Sequence, residues 1–195
     1  MNEEKAQTEP LADHQRIHSS NSNEWYTPVR YIKAVHEVMG GVDLDPASCA
    51  YANQIIQATV YYTLETDGFN QAWPGRVFLN PPYGIDSKRQ SNAGKWSKRL
   101  IDQFQAGITT EAILLVNAVP GNEWFKPLWQ FLICFTDHRI KFYNSAGQAN
   151  QPTHSNCFVY LGSNQDRFCT VFAEFGPVVQ RICGATETVE QLPLF

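Results

Sequence analysis

No stretch of this chain approaches the ~20 consecutive apolar residues that a bilayer-spanning helix requires, and its opening residues lack the character of a signal peptide. A membrane-embedded or secreted protein is therefore not expected. Cysteine is sparse and unpaired in pattern: five residues stand at 49, 134, 157, 169 and 183, with no C-x-x-C. That count excludes a disulfide framework or a zinc ribbon and leaves reduced, mostly buried thiols, which suits a cytoplasmic location. Positive charge is not in excess either. Fifteen Lys and Arg against nineteen Asp and Glu give a net charge of -4, too negative for a protein held on nucleic acid by bulk charge alone. A local basic patch remains compatible with that total. The Gly-x-Gly turn of dinucleotide sites and the P-loop are both missing, and no Ser-His-Asp series with a nucleophile elbow occurs. His36, His138 and His154 lack metal-ligand spacing, so no metal is expected.

What is present describes a globular protein. The 195 residues are 43% hydrophobic, 13% aromatic and 17% charged, enough for one core without metal or disulfides. Residues 1–22 are polar and without apolar period, and 184–195 also lack it, though Leu192, Leu194 and Phe195 could dock. Both read as tails around a single domain over 23–183. Inside it, Thr27-Pro28 reads as a helix start with Thr as cap, followed by Val29, Ile32, Val35 and Val38 at helical spacing and ended by Gly40-Gly41. Val42–Pro46 and Arg76–Leu79 read as strands. Trp96, Leu100, Ile101 and Phe104 form a helical stripe that stops at Gly107. The apolar run Ala112–Val119 suits a central parallel strand. Phe131–Phe135, Arg139–Tyr143 and Cys157–Leu161 read as strands, Arg167–Phe175 as a helix, and Val178–Ile182 as a last strand. Strands alternating with helices imply an α/β sheet, mostly parallel, whose ligands sit beyond the carboxyl ends of its strands.

The segment with most chemistry is Asn80-Pro81-Pro82-Tyr83, directly after a hydrophobic strand. Two prolines fix φ and donate no backbone hydrogen bond, so their carbonyls stay free to accept. The Asn80 side-chain oxygen is a further acceptor, and Tyr83 adds an aromatic face. Such a turn suits a planar target that carries an amine. The alternative is a Pro-Pro strand stop with a packing Tyr. Asp43-Leu44-Asp45-Pro46-Ala47-Ser48 ends another strand in carboxylates that could hold ribose hydroxyls or a cation, or form a solvated acidic turn. Glu24-Trp25-Tyr26-Thr27-Pro28 places two aromatics at a helix start, as a pocket wall or as a hydrophobic staple. Asp67-Gly68 is a weak turn signal. Lys88, Arg89, Lys95, Lys98 and Arg99 cluster just after the acceptor turn, where they could grip phosphates or simply be solvated.

Taken together, these segments and Trp73-Pro74-Gly75, in this order, resemble the Dam-type adenine-specific DNA methyltransferases of bacteriophages and prophages, from about residue 23 to 179. The resemblance implies a compact Rossmann-like fold dependent on S-adenosylmethionine, acting on DNA in a bacterial host, in a restriction-modification or related setting. It implies cofactor contacts from Trp25, Tyr26, Thr27, Pro28, Asp43, Asp45, Pro46 and Asp67. Asn80, Pro81, Pro82 and Tyr83 would form the catalytic turn, and Lys88, Arg89, Lys95, Lys98 and Arg99 would contact DNA. The mechanism expected is methylation of adenine N6 after base flipping. Cytosine N4, a protein glutamine amide, or a non-catalytic binding module of the same fold are the alternatives. A monomer is expected. Only 34 residues separate Asp45 from Asn80, short for the strand-helix-strand units of a full-size methyltransferase, so the adenosine end of the pocket should be thinly enclosed. Loops 85–95 and 144–156 are the candidates for reading the DNA site, because no separate recognition domain is visible.

Overall fold

The computed structural model describes residues 25–151 and 153–182. The tails expected at 1–22 and 184–195 lie outside these, as do Glu24, Pro152 and Cys183. In chain order the elements are α1 (Val29–Met39), β1 (Leu44–Asp45), α2 (Ala50–Ile56), β2 (Val60–Tyr61), β3 (Gly75–Leu79), α3 (Asn92–Gln105), β4 (Thr109–Asn117), β5 (Leu132–Phe135), β6 (Asn156–Leu161), α4 (Gln165–Phe172) and β7 (Val178–Val179). Short 3-10 segments cover Gly68–Asn70 and Glu123–Gln130. The strands form one sheet in the order β2-β1-β3-β4-β6-β5-β7. Pairings from β2 to β4 are parallel, and those of β6 with β4 and β5, and of β7 with β5, are antiparallel. Only β6 and β7 therefore run against the rest.

The apolar run in β4 is explained by cover on both faces. Ile113 and Leu115 point into a core with α1, α2 and α4, where Tyr31, Val35, Phe168 and Phe172 are buried. Ala112, Leu114 and Val116 point the other way, onto Leu100 and Ile101 of α3, Phe125 and Trp73. Alternate residues serve opposite layers, so each position must be apolar. The helical period of α1 is similarly plain: Tyr31, Ile32, Ala34, Val35, Val38 and Met39 are all buried. Ile32, Val35, Val38 and Met39 each contribute about 1.5–3 kcal/mol when fully buried. Gly40 then ends the helix with φ of 70°, the left-handed value for which glycine is preferred. No helix among the described residues is long and apolar enough to cross a membrane.

Several local readings change. Pro28, not Thr27, is the N-cap of α1, and no side chain caps it. Arg139–Tyr143 is not a strand. Its alternation is real, with Ile140 and Phe142 buried between exposed neighbours, but it lacks a strand beside it. Tyr143 alone makes bridges, to Tyr26 and to Ala149. The run 112–119 has β3 as a parallel neighbour and β6 as an antiparallel one. Cys134 and Cys157 are buried, and Cys49 and Cys169 are half-buried free thiols.

Candidate functional site

The carboxyl ends of β1, β3 and β4 open on one cleft of about 750 Å³, within the range of small-molecule sites. Each strand delivers a polar residue there: Asp45 ends β1, Asn80 follows β3, and Asn117 ends β4. Trp25, Tyr26 and Thr27 enter from the chain before α1, and Asp67 and Gly68 from the turn after β2. Trp96 of α3, Phe142, Asn150 and His154 complete much of the wall.

The loop after β1 is tightly tied. Asp45 is 2% exposed, and its Oδ1 accepts from the Ala47 amide at 3.1 Å. Burial pushes its pKa up to about 6, against the opposing influence of Ser48 and that amide. The Ser48 hydroxyl lies close enough to lower the Asp45 pKa, yet its Oγ is buried without a partner of proper hydrogen-bond geometry. The Ser48 amide bonds to the Tyr62 carbonyl at 2.8 Å, and the Tyr62 amide to that of Asp45 at 2.9 Å, so β2 holds this loop from outside. Gly68 is needed at its position. A Cβ there would stand 2.0 Å from the Pro46 carbonyl oxygen and 2.7 Å from Tyr62 Cβ.

At the end of β3, Asn80 Nδ2 donates to Thr27 Oγ1 at 3.3 Å. This sets the amide so that Oδ1 is the remaining group, and Oδ1 is buried without any partner. An unpaired buried acceptor costs about 1–3 kcal/mol, so its retention inside a cleft points to a ligand donor. Pro81 is buried beside it, and Pro82 and Tyr83 lie toward solvent. Tyr83 is 42% exposed, and partial burial pushes its hydroxyl pKa upward.

Most of the residues singled out in the sequence meet at this cleft: Trp25, Tyr26, Thr27, Asp45, Pro46, Asp67, Asn80, Pro81, Pro82 and Tyr83 all line it. Two do not. Asp43 faces away, its carboxylate bound by the Arg76 guanidinium at 2.7 and 2.9 Å and by the Arg76 amide at 2.8 Å. That pairing holds its pKa below the usual carboxylate range. Arg76 also caps the Met39 carbonyl at 3.0 Å, so Asp43 serves to join α1 to β3. Pro28 caps α1 and does not line the cleft.

The basic cluster divides. Lys95 pairs with Asp86 at 3.0 Å, and Lys98 with Asp102 at 2.7 Å. Arg99 donates to the Gln71 carbonyl and lies 5.3 Å from the ring centroids of Phe69 and Trp73. Those three are engaged in the structure itself. Lys88 and Arg89 are exposed, and no ion pair holds them among the described residues. Arg89 has φ of 60°, in a loop that Asp86 organises through the Lys88 and Gln90 amides. Sequence reasoning missed Ser48 as an individual residue and missed Asn117. The latter is the one polar side chain inside the apolar run 112–119, which was the available signal.

A sheet covered on both faces, with its cleft at the strand ends and an Asn-Pro-Pro-Tyr turn in it, defines the Rossmann-like methyltransferase fold. The family described as DNA N-6-adenine-methyltransferase (Dam) matches residues 14–164, and the chain belongs to that family. No curated protein and no solved structure matches it.

Proposed function

We propose that this protein transfers a methyl group from S-adenosylmethionine to the N6 amine of adenine in DNA, on a base flipped out of the duplex. The single observation that carries the reading is the buried Asn80 Oδ1, left without a partner inside the cleft and fixed by Thr27. Adenine N6 is a weak nucleophile because its lone pair is delocalised into the ring. Asn80 Oδ1 and the Pro81 carbonyl accept its two hydrogens and favour a nitrogen whose lone pair is localised. Tyr83 stacks on the base. Within a duplex the amine is out of reach of such a turn, so the base must leave the stack.

The other half of the cleft fits the cofactor. A buried carboxylate at Asp45 suits a cation, the unpartnered Ser48 Oγ suits a hydroxyl or amine, and Trp25 and Tyr26 offer aromatic faces. S-adenosylmethionine supplies an electrophilic methyl on a sulfonium, so the chain needs no nucleophile of its own. Alignment of the reactants does most of the work. The proton lost from the amine after transfer leaves to solvent. We assign Lys88 and Arg89 to DNA phosphates, and a phage or prophage origin to the enzyme.

Incubation of DNA with methyl-labelled cofactor, followed by base analysis, tests this. Label should appear as N6-methyladenine; label on cytosine or on protein would overturn the substrate. Asn80→Ala should lower kcat by roughly 100-fold or more, by analogy with removal of an oriented donor in a dry site. Its cofactor affinity should be unchanged.

A further inference from the structure

The cleft holds a second oriented amide. Asn117 closes β4, next to β3 in the sheet, and its cross-strand partner is Asn156 of β6. Asn156 is 3% exposed, and its Nδ2 donates to Asn117 Oδ1 at 3.1 Å. Thr136 fixes the Asn156 backbone by donating its amide to the Asn156 carbonyl at 3.1 Å, while its hydroxyl donates mainly to the His138 carbonyl at 2.7 Å. The Asn117 oxygen is therefore committed. Its Nδ2 keeps both hydrogens for the cleft, with no partner among the described residues.

The cleft thus offers an unpartnered acceptor at the end of β3 and an unpartnered donor at the end of β4. The complementary ligand carries an amine donor beside an acceptor. Adenine has this pattern on both sides of N6, with N1 on one edge and N7 on the other. Cytosine has it on one side only, because C5-H stands where adenine has N7. We infer that Asn117 is a target-reading residue, donating through Nδ2 to the ring nitrogen beside the methylated amine while Asn156 holds its orientation. The inference rests on the adenine reading above and adds what that reading lacks, a group that checks the ring and not only the amine.

The test uses full-length protein and oligonucleotides in which the target adenine is replaced by 1-deazaadenine or 7-deazaadenine. Both analogues keep the amine and lose one ring acceptor. Wild-type protein should lose about 10- to 100-fold in kcat/KM on one of the two, and that one names the edge read. Equal activity on both analogues and on adenine overturns the inference. Asn117→Asp keeps the oxygen that Asn156 holds but replaces the donor by an acceptor. This variant should lose a similar factor on adenine, should no longer distinguish adenine from the sensitive analogue, and should bind S-adenosylmethionine as before. Wild-type rates in Asn117→Asp overturn the assignment. Failure of the wild type on unmodified adenine is a separate result, which removes the adenine reading and this inference with it.

Discussion

At the scale of single residues the site is governed by which polar atoms have partners and which do not. Thr27 was expected to cap a helix, and its hydroxyl instead holds Asn80 Nδ2. Thr27→Val keeps shape and burial but removes that acceptor. Its kcat should fall about 3- to 10-fold, the worth of one neutral hydrogen bond, with cofactor affinity little changed. Thr27→Ser should restore the rate; a Ser variant as slow as Val would show that the methyl group and not the hydroxyl matters. Asp45 makes a pH prediction. Its folded pKa of about 6 lies above its ordinary 3.8, so between those values the folded chain binds the extra proton. This group therefore adds stability as pH falls from about 6 toward 4, and that stability is lost as pH rises through 6. A cationic cofactor prefers the ionised form, so its affinity should drop by up to about tenfold per pH unit below 6. Asp45→Asn should flatten both profiles, measured by thermal unfolding and by calorimetric titration. Affinity that stays level in the wild type between pH 5 and about 7 would disconnect Asp45 from the cation.

At the scale of elements, the strongly periodic or strongly punctuated pieces were readable. α1, α3 and β4 carry their burial in their spacing, and the Asn80 turn announces itself by two prolines after an apolar strand. The pieces that escaped are short and polar. α2 has only Ala52 and Ile56 buried and is capped by the Cys49 thiol, which accepts from the Ala52 amide at 3.4 Å. β2 has two residues, one exposed and one half-buried, and is a strand only because β1 lies beside it. The segment Glu123–Gln130 contains Pro127, a residue that argues against a helix interior. The converse error at Arg139–Tyr143 has the same origin, since period two shows which residues face inward and not whether a neighbouring strand exists. Asn117 shows how a site residue hides: within an apolar stretch a single Asn reads as an end signal. The loop between β3 and α3 carries its own prediction. Lys88 and Arg89 together, changed to Ala, should flatten the log-log salt slope of DNA binding by up to about 2. Lys98→Ala, at a residue already paired with Asp102, should leave that slope alone. Fluorescence anisotropy across a salt series measures both, and equal slopes in all three proteins would move the phosphate grip off this loop.

At the scale of the whole molecule, burial is unevenly shared across the sheet. Residues 112–116 of β4 and 157–159 of β6, at the centre of the sheet, are fully buried, whereas β2 at one edge is exposed to half-buried and pairs with β1 over two residues. The short interval between Asp45 and Asn80 accounts for this, because besides the five-residue β3 and one short 3-10 segment it has room only for a seven-residue helix and a two-residue strand. Amide exchange should accordingly be slowest in β4 and β6. In the protein alone it should be fastest, among the strands, in the two-residue edge strands β2 and β7. Addition of S-adenosylmethionine should slow exchange chiefly at residues 45–48 and 60–68. Protection that spreads evenly over the sheet, or falls on β5 and β7, would place the ligand elsewhere.

The bridge between Tyr26 and Tyr143, with amide-to-carbonyl bonds of 2.7 and 3.2 Å, has a consequence for the order in which the molecule assembles. It joins the segment ahead of the first helix to a loop that follows the fifth strand, so five of the seven strands and three of the four helices lie between its two ends. Contacts of such wide sequence separation carry the largest loop-closure entropy and form once the intervening chain is already folded. Tyr26 and Phe142 are also walls of the cleft. In refolding, the sheet should therefore reach its native signal ahead of the capacity to bind a ligand, and a nascent chain should stay unable to bind cofactor until residue 143 has emerged from the ribosome.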